Sequence, residues 1–446
     1  MRILLSTAGS LAGPIGGGWT YSRELIRELV SRGHTLHVVD GGVSVPSAVP
    51  PTEVLAQLDG VSFSRIDAGV SALSPSSWSA RHARPLRQLR DILQWFSPDV
   101  VHANGHKGLM SRASRLARVP CVATVHHPGV VCPVGTMTTY TKNRCVRRAE
   151  DRICRICYCR QRPRGRALGP ILGAVPEPLT SMASKMASFI APERFVSRAL
   201  RYPQGVSEFL EDRRVALDEA DLWIAPSRAA GRLLRLNGVE DARVRWVPHG
   251  TRRLQRRPVD AGRCVRFGYV GSLSPSKGVD LLMEAFAGRP SELGCELHLF
   301  GESANSEEGR SFSERLRSSA STNCTIHGVV SADDLQAAFE CFDVLVFPSV
   351  GLEIFGLVVL EAHSAGRPVI ASRCGGPEDT VRDGVDGLLV PRGDVASLEE
   401  AMTSLAESPA RVRKLSEGIR EIRSMGEHVQ DLEGVFQEIR SRSSDR

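Results

Sequence analysis

Short β-branched and apolar runs alternate along this chain with stretches in which apolar residues recur every three or four positions. Arg2 to Ser6 is one such run, a helical period follows from about Tyr21 to Arg32, and Thr35 to Asp40, Asp99 to Ala103 and Pro120 to His126 are further runs. Runs with period two or none predict strands, and the longer period predicts the helices between them. Strands joined through helices lie parallel, because a parallel pair needs a crossover. The rhythm restarts at Val265 to Val270 and continues through Glu296 to Phe300, Cys324 to His327, Val344 to Phe347 and Pro368 to Ala371. The expected fold is therefore α/β, with two doubly wound Rossmann-like domains facing across a cleft. Ligands of such sheets bind at the carboxyl ends of the strands.

The expected boundaries are an acceptor-side domain over 1–250 with a Cys/Arg-rich insertion at about 130–205, a linker over 251–263, a donor domain over 264–420, and a C-terminal helix and tail over 421–446 that packs back on the first domain. The linker is placed where Pro248 to Cys264 holds prolines, glycines and arginines without apolar periodicity. A chain of 446 residues is long enough for two cores, and 42% hydrophobic with 24% charged residues belongs to the globular class. No stretch approaches the roughly 18 apolar residues of a membrane span, and Met1 to Ser6 lacks a signal-peptide core. These features predict a cytoplasmic protein. The net charge of +7 is uneven and peaks between Lys142 and Arg166.

The most informative segment runs from Pro348 to Ala362. It follows the buried run Val344 to Phe347 and leads into a helix, with Glu353 in the turn, Gly356 and Leu357 at the helix start and Glu361 about two turns further in. Free amides at a helix start can hold a diphosphate, and carboxylates accept hydrogen bonds from sugar hydroxyls.

Glu353 and Glu361 have seven residues between them, with Phe355-Gly356-Leu357 inside the interval. In this the sequence resembles glycosyltransferase family 4, retaining enzymes of the GT-B fold. Pro368 to Ser372, Gly375 to Glu378 and Asp386 to Val390 also match the family's usual run. The resemblance implies that Glu353 contacts a donor sugar, that Gly356 and Leu357 bind phosphate through backbone amides beside Phe355, and that Glu361 holds ribose hydroxyls. It implies a nucleotide-sugar donor of UDP, GDP or ADP type, with the base read near Val330. It also implies a sugar, lipid-linked or small-molecule acceptor, in polysaccharide, glycolipid or natural-product assembly. The reaction implied is front-face substitution with retention, for which no cofactor is required. A donor-binding but inactive homologue and a nucleotide-dependent oxidoreductase are the competing readings.

Gly271-Ser272 followed by Lys277 resembles the family's diphosphate-clamping loop, in which a lysine usually has an upstream arginine. That position holds Ser272 here, so either Lys277 acts with a different cation, Arg252 or Arg253, or phosphate is held more weakly than is usual in the family. Gly16 and Gly17, within Gly13 to Gly18, resemble the family's flexible glycine loop. They stand too far from Ser6 for the tight turn of a nicotinamide site. His126 ends a strand run, and the resemblance implies that it reaches the donor sugar. His127 stands where the family often has aspartate.

Cys132, Cys145, Cys154 and Cys157 crowd one segment, and Cys154-x-x-Cys157 has the spacing of a structural zinc knuckle. Free thiols and redox chemistry are the alternatives. Nine arginines lie between Arg144 and Arg166, and Leu179, Met182, Met186, Phe189 and Ile190 follow at near-helical spacing. Such an insertion can rest peripherally on the inner membrane face, or pack into the domain. A nucleic-acid partner is not expected, because aromatics make up only 5% of the chain and do not interleave with the basic residues.

Overall fold

A computed structural model describes the chain apart from residues 8–16, 41–59, 67–81, 142, 162–174, 176–178, 180, 181, 183–194, 260–263, 304, 305, 332, 333, 445 and 446. Two parallel sheets organise it. The first holds β1 (Arg2–Ser6), β2 (Thr35–Asp40), β3 (Val61–Arg65), β4 (Val100–Ala103), β5 (Cys121–Thr124), β6 (Leu222–Ala225) and β7 (Val244–Trp246), in the order β3-β2-β1-β4-β5-β6-β7. The second holds β8 (Arg266–Val270), β9 (Glu296–Phe300), β10 (Cys324–Gly328), β11 (Val344–Phe347), β12 (Val369–Ser372) and β13 (Gly387–Val390), in the order β10-β9-β8-β11-β12-β13. Every strand pair is parallel, with Ile3 facing Leu36 and Val100, and Val344 facing Phe267. Both orders reverse direction beside their first strand, between β1 and β4 and between β8 and β11. Such a reversal opens a crevice at the carboxyl ends.

Central strands buried on both faces read as continuous apolar runs. Val344 to Phe347 and Val369 to Ser372 are buried throughout. The runs β3, β6 and β7 are short or mixed, which is why the apolar pattern alone does not single them out.

The linker residues 251–259 run along the second domain, with the Leu254 N–H donating to Ser364 Oγ at 2.8 Å and Arg256 donating to the Ser416 and Ile419 carbonyls. The chain then returns. The helix Met425–Ser444 places Val429, Leu432, Val435, Phe436 and Ile439 in the same core cluster as Ile3, Leu25 and Val122 of the first sheet. Thr251 pairs with Ser424 as a parallel bridge, so the outgoing and returning strands touch at the junction. The Tyr21 hydroxyl donates to His428 Nε2 at 2.9 Å, and His428 Nδ1–H donates to the Pro248 carbonyl at 2.8 Å. Burial pushes the His428 pKa down to about 4, which keeps the ring neutral for this relay. Among the described residues no helix is long and apolar enough to cross a membrane.

Candidate active site

The loop after β11 carries Glu353 and is held by both domains. Leu352 and Ile354, either side of it, are buried in the core cluster of the first domain. The Leu352 N–H donates to the Thr136 carbonyl at 2.8 Å, and Ser227 Oγ donates to the Ile354 carbonyl. The Glu353 N–H donates to the Cys374 carbonyl at 2.9 Å, and the Gly376 N–H donates to the Glu353 carbonyl at 2.8 Å. With its backbone pinned and its neighbours buried on one side, the Glu353 side chain turns to the other. There Oε1 accepts from Lys277 Nζ at 2.7 Å and from Ser349 Oγ at 2.9 Å.

Lys277 comes from the loop after β8, which is zipped onto the Glu353 loop. The Val350 and Gly351 amides both donate to the Ser276 carbonyl at 3.0 Å. Gly278 sits at φ 70°, where a Cβ would lie 2.2 Å from the Pro348 carbonyl oxygen, so only glycine allows this approach. Gly271 and Ser272 lie in the same loop. The Gly271 N–H donates to the Phe300 carbonyl at 2.9 Å, and the Ser272 carbonyl accepts from the Tyr269 hydroxyl at 2.7 Å. Of the two arginines expected to stand in for the one missing at Ser272, Arg253 pairs with Glu421 at 2.7 Å on the surface, and Arg252 acts on Glu361.

Gly356 adopts φ 83° and opens the helix Leu357–Ser364. The first amides of that helix lack intrahelical acceptors and sit at the positive end of its dipole. Leu357 packs against the core of the first domain, and a Cβ at Gly17 would lie 3.7 Å from its Cδ1. The glycine segment of the first domain thus meets the helix start of the second at Gly17, while Gly16 lies outside the described residues. Phe355 stands with its ring 5.1 Å from that of His249. Val330 is half-buried beyond the end of β10 and packs on the second core.

Glu361 is 8% exposed. Burial raises its pKa from the usual 4.5 to about 7, against the lowering effect of Arg252, with Glu24 adding to the rise. A carboxyl whose folded pKa lies above its unfolded value stabilises the fold while protonated, below pH 4.5, and that contribution is lost as pH rises toward 7. Glu361→Gln should therefore stabilise the free protein at pH 8 by about 2–3 kcal/mol, since each pKa unit is worth ~1.4 kcal/mol. Urea unfolding at pH 5 and pH 8 checks this, and an equal effect at both values would refute the assignment.

His126 is half-buried at the end of β5. Its Nε2–H donates to Asn104 Oδ1 at 2.6 Å, and its ring stacks on His249 with centroids 5.2 Å apart. Burial holds its pKa well below the usual range, so it is a neutral group offering Nδ1. His127 is exposed, and its ring lies within electrostatic reach of Glu353 and Lys277.

Asn104, Tyr21, His249 and His428 complete the histidine cluster, and sequence reasoning passed over all four. Asn104 follows β4 at the same edge as His126 follows β5. A polar residue directly after an apolar strand run was the available signal.

The four cysteines gather where the loop after β5 meets the helix Asp151–Gln161. Cys154 lies within electrostatic reach of Cys132, Cys145 and Cys157. Gln161 Nε2 donates to Cys157 Sγ at 3.3 Å, and the Cys145 N–H donates to the Met137 carbonyl at 2.7 Å. All eleven cysteines are free thiols. Among the described residues, no group of three or more histidine, cysteine, aspartate or glutamate side chains is drawn together as for a metal ion. Of the apolar stripe, Leu179 and Met182 are exposed, and Met186, Phe189 and Ile190 lie outside the described residues.

The family model described as Glycosyltransferase Family 4 matches residues 15–209, and that described as Glycosyl transferases group 1 matches residues 264–408. The D-inositol 3-phosphate glycosyltransferase of Acidothermus cellulolyticus is 32% identical over 45% of this chain and 50% of its own. The phosphatidyl-myo-inositol mannosyltransferase of Mycobacterium leprae is 33% identical over 33% of this chain and 39% of its own. The chain thus spans about half the length, or less, of these curated relatives. Among solved structures, sucrose-phosphate synthase from Thermosynechococcus elongatus superposes with a TM-score of 0.66 at 19% identity, covering 99% of each chain. Anabaena HepE in complex with UDP and glucose superposes with a TM-score of 0.64 at 16% identity, over 98% of this chain and 100% of that one. At such identities the likeness speaks for the fold, which is GT-B. By sequence, the two models, which divide the chain at its linker, place it in glycosyltransferase family 4.

Proposed function

We propose that this chain transfers a sugar, with retention, from a nucleotide-diphosphate sugar of UDP, GDP or ADP type to a hydroxyl acceptor. The observation that carries this is the Lys277–Glu353 pair, set at the carboxyl ends of β8 and β11 beside the start of the helix Leu357–Ser364. In this reading the diphosphate rests on the first helix amides, Lys277 meets the charge that grows as the donor bond breaks, and Glu361 accepts from the ribose hydroxyls. Glu353 orients the donor sugar, and His126 presents a neutral ring to it. The departing phosphate oxygen takes the acceptor proton, so no side-chain base is required. What remains for the protein is positioning and electrostatic stabilisation.

Thermal unfolding with UDP, GDP, ADP and NAD tests the reading. One nucleoside diphosphate at 100 times its dissociation constant should add about 2.7 kcal/mol of stability. The effect should vanish in Glu361→Ala. Stabilisation by NAD alone, or by none of the four, would overturn the donor site.

The Cys154-x-x-Cys157 spacing is the support for a second proposal, a structural zinc on Cys132, Cys145, Cys154 and Cys157, which these side chains would have to draw closer to hold. Elemental analysis of the purified protein should then find one zinc per chain, lost in Cys154→Ser together with Cys157→Ser. Absence of zinc from protein produced in zinc-supplemented medium would end that proposal.

A further inference from the structure

The wall of the first domain across from Lys277 and Glu353 holds two buried donors without a partner, Asn104 Nδ2 and Arg213 Nε. Asn104 is 2% exposed. Its Oδ1 is taken by His126, and its Nδ2 is buried without a hydrogen-bond partner. Lys107, the first residue of the helix Lys107–Ala117, donates from Nζ to the Asn104 carbonyl. The long helix Phe195–Glu219 passes so near that a Cβ at Gly108 would lie 2.4 Å from Asp212 Oδ1. It brings in Arg213, whose guanidinium lies 4.0 Å over the Phe209 ring and whose buried Nε has no partner. Lys107 lies within electrostatic reach of both Arg213 and Asp212. Both cations act on His127, and Glu353 and Lys277 act on the same ring.

Buried donors left unpaired are costly, and natural proteins carry few of them. Here two cations and a spare amide converge against a single carboxylate, beside the Lys277–Glu353 pair. An oxyanion satisfies all three donors at once. We propose that Asn104, Lys107 and Arg213 bind a phosphate-type oxyanion carried by the acceptor, next to the donor sugar at Glu353. The word acceptor rests on the transferase reading, whereas the anion pocket does not.

Burial and Arg213 lower the Lys107 pKa to about 7, against the raising effect of Asp212, so the free site holds its lysine half-charged near neutrality. His126, His127 and His102 also feel Lys107, and Cys132 faces Arg213. An arriving dianion favours the charged ammonium, so binding takes up a proton.

Calorimetry with sulfate, a dianion whose charge is constant from pH 6 to 8.5, reads this directly. Wild type should bind sulfate with proton uptake, seen as an enthalpy that changes with the buffer, and bind it about tenfold more weakly at pH 8.5 than at pH 6. Arg213→Gln should weaken sulfate by about tenfold or more, and Arg213→Lys should restore part of it. UDP affinity should not change in either variant. Glucose 6-phosphate and phosphatidylglycerol vesicles then separate a soluble phosphorylated acceptor from a lipid headgroup, the source being whichever one needs Arg213. Sulfate that competes with UDP and ignores Arg213 is bound at the donor site and overturns the pocket. Arg213-dependent sulfate binding in a protein that binds no nucleoside diphosphate would keep the pocket and remove the transferase.

Discussion

Glu353→Gln should lower sugar transfer by about 10²–10³-fold, the range seen when one charge-stabilising group is removed from a preorganised site. The amide keeps the shape of the side chain and can still accept from Ser349, so the loop stays in place. What changes is the charge that holds Lys277 at 2.7 Å. Lys277→Met removes the other half of the pair and should cost a similar factor. Because the two groups act as a unit, the double variant should be little worse than either single one. Initial rates with saturating donor measure this, beside nucleotide titrations that should change less than tenfold in Glu353→Gln. A loss of less than about threefold in rate would remove Glu353 from the reacting centre.

Phe436→Ala should destabilise the first domain by about 3–5 kcal/mol, the usual cost of emptying a buried aromatic position. Phe436 is fully buried and its ring stands 5.3 Å from that of His102 in the core of the first sheet. Two domains do not guarantee a single transition, so urea unfolding is best followed by tryptophan fluorescence, because all five tryptophans, Trp223 of β6 among them, lie within residues 1–250. A loss under about 1 kcal/mol would mean that the returning helix only covers the core.

The sequence discloses the second domain better than the first. Val344–Phe347 is bounded as its apolar run predicts, because a central parallel strand is apolar on both faces, and Glu296–Phe300 is bounded as predicted with Leu297, Leu299 and Phe300 buried and Glu296 exposed. Gly387–Val390 lay within a matched motif, yet a four-residue edge strand ending at Pro391 has no period to display. Within the site, the glutamates, Lys277 and the helix start were legible because their spacing along one loop and helix is short. Asn104, Arg213 and Tyr21 were not. Each is brought in by a different element, Asn104 by the end of β4, Tyr21 by the helix Gly17–Ser31 and Arg213 by the helix Phe195–Glu219, so no local spacing joins them to His126 and His127.

The returning helix also sets the order in which this protein can be made. The apolar surface formed by Ile3, Leu25 and Val122 is translated first, but Phe436 and its neighbours, which cover it, are translated last. At roughly 5–20 residues per second, the intervening second domain keeps that surface open on the ribosome for some tens of seconds. The first domain therefore completes its core only when the last helix is made, although it emerges first. The second domain, complete within one stretch of sequence, can close as soon as it leaves the tunnel.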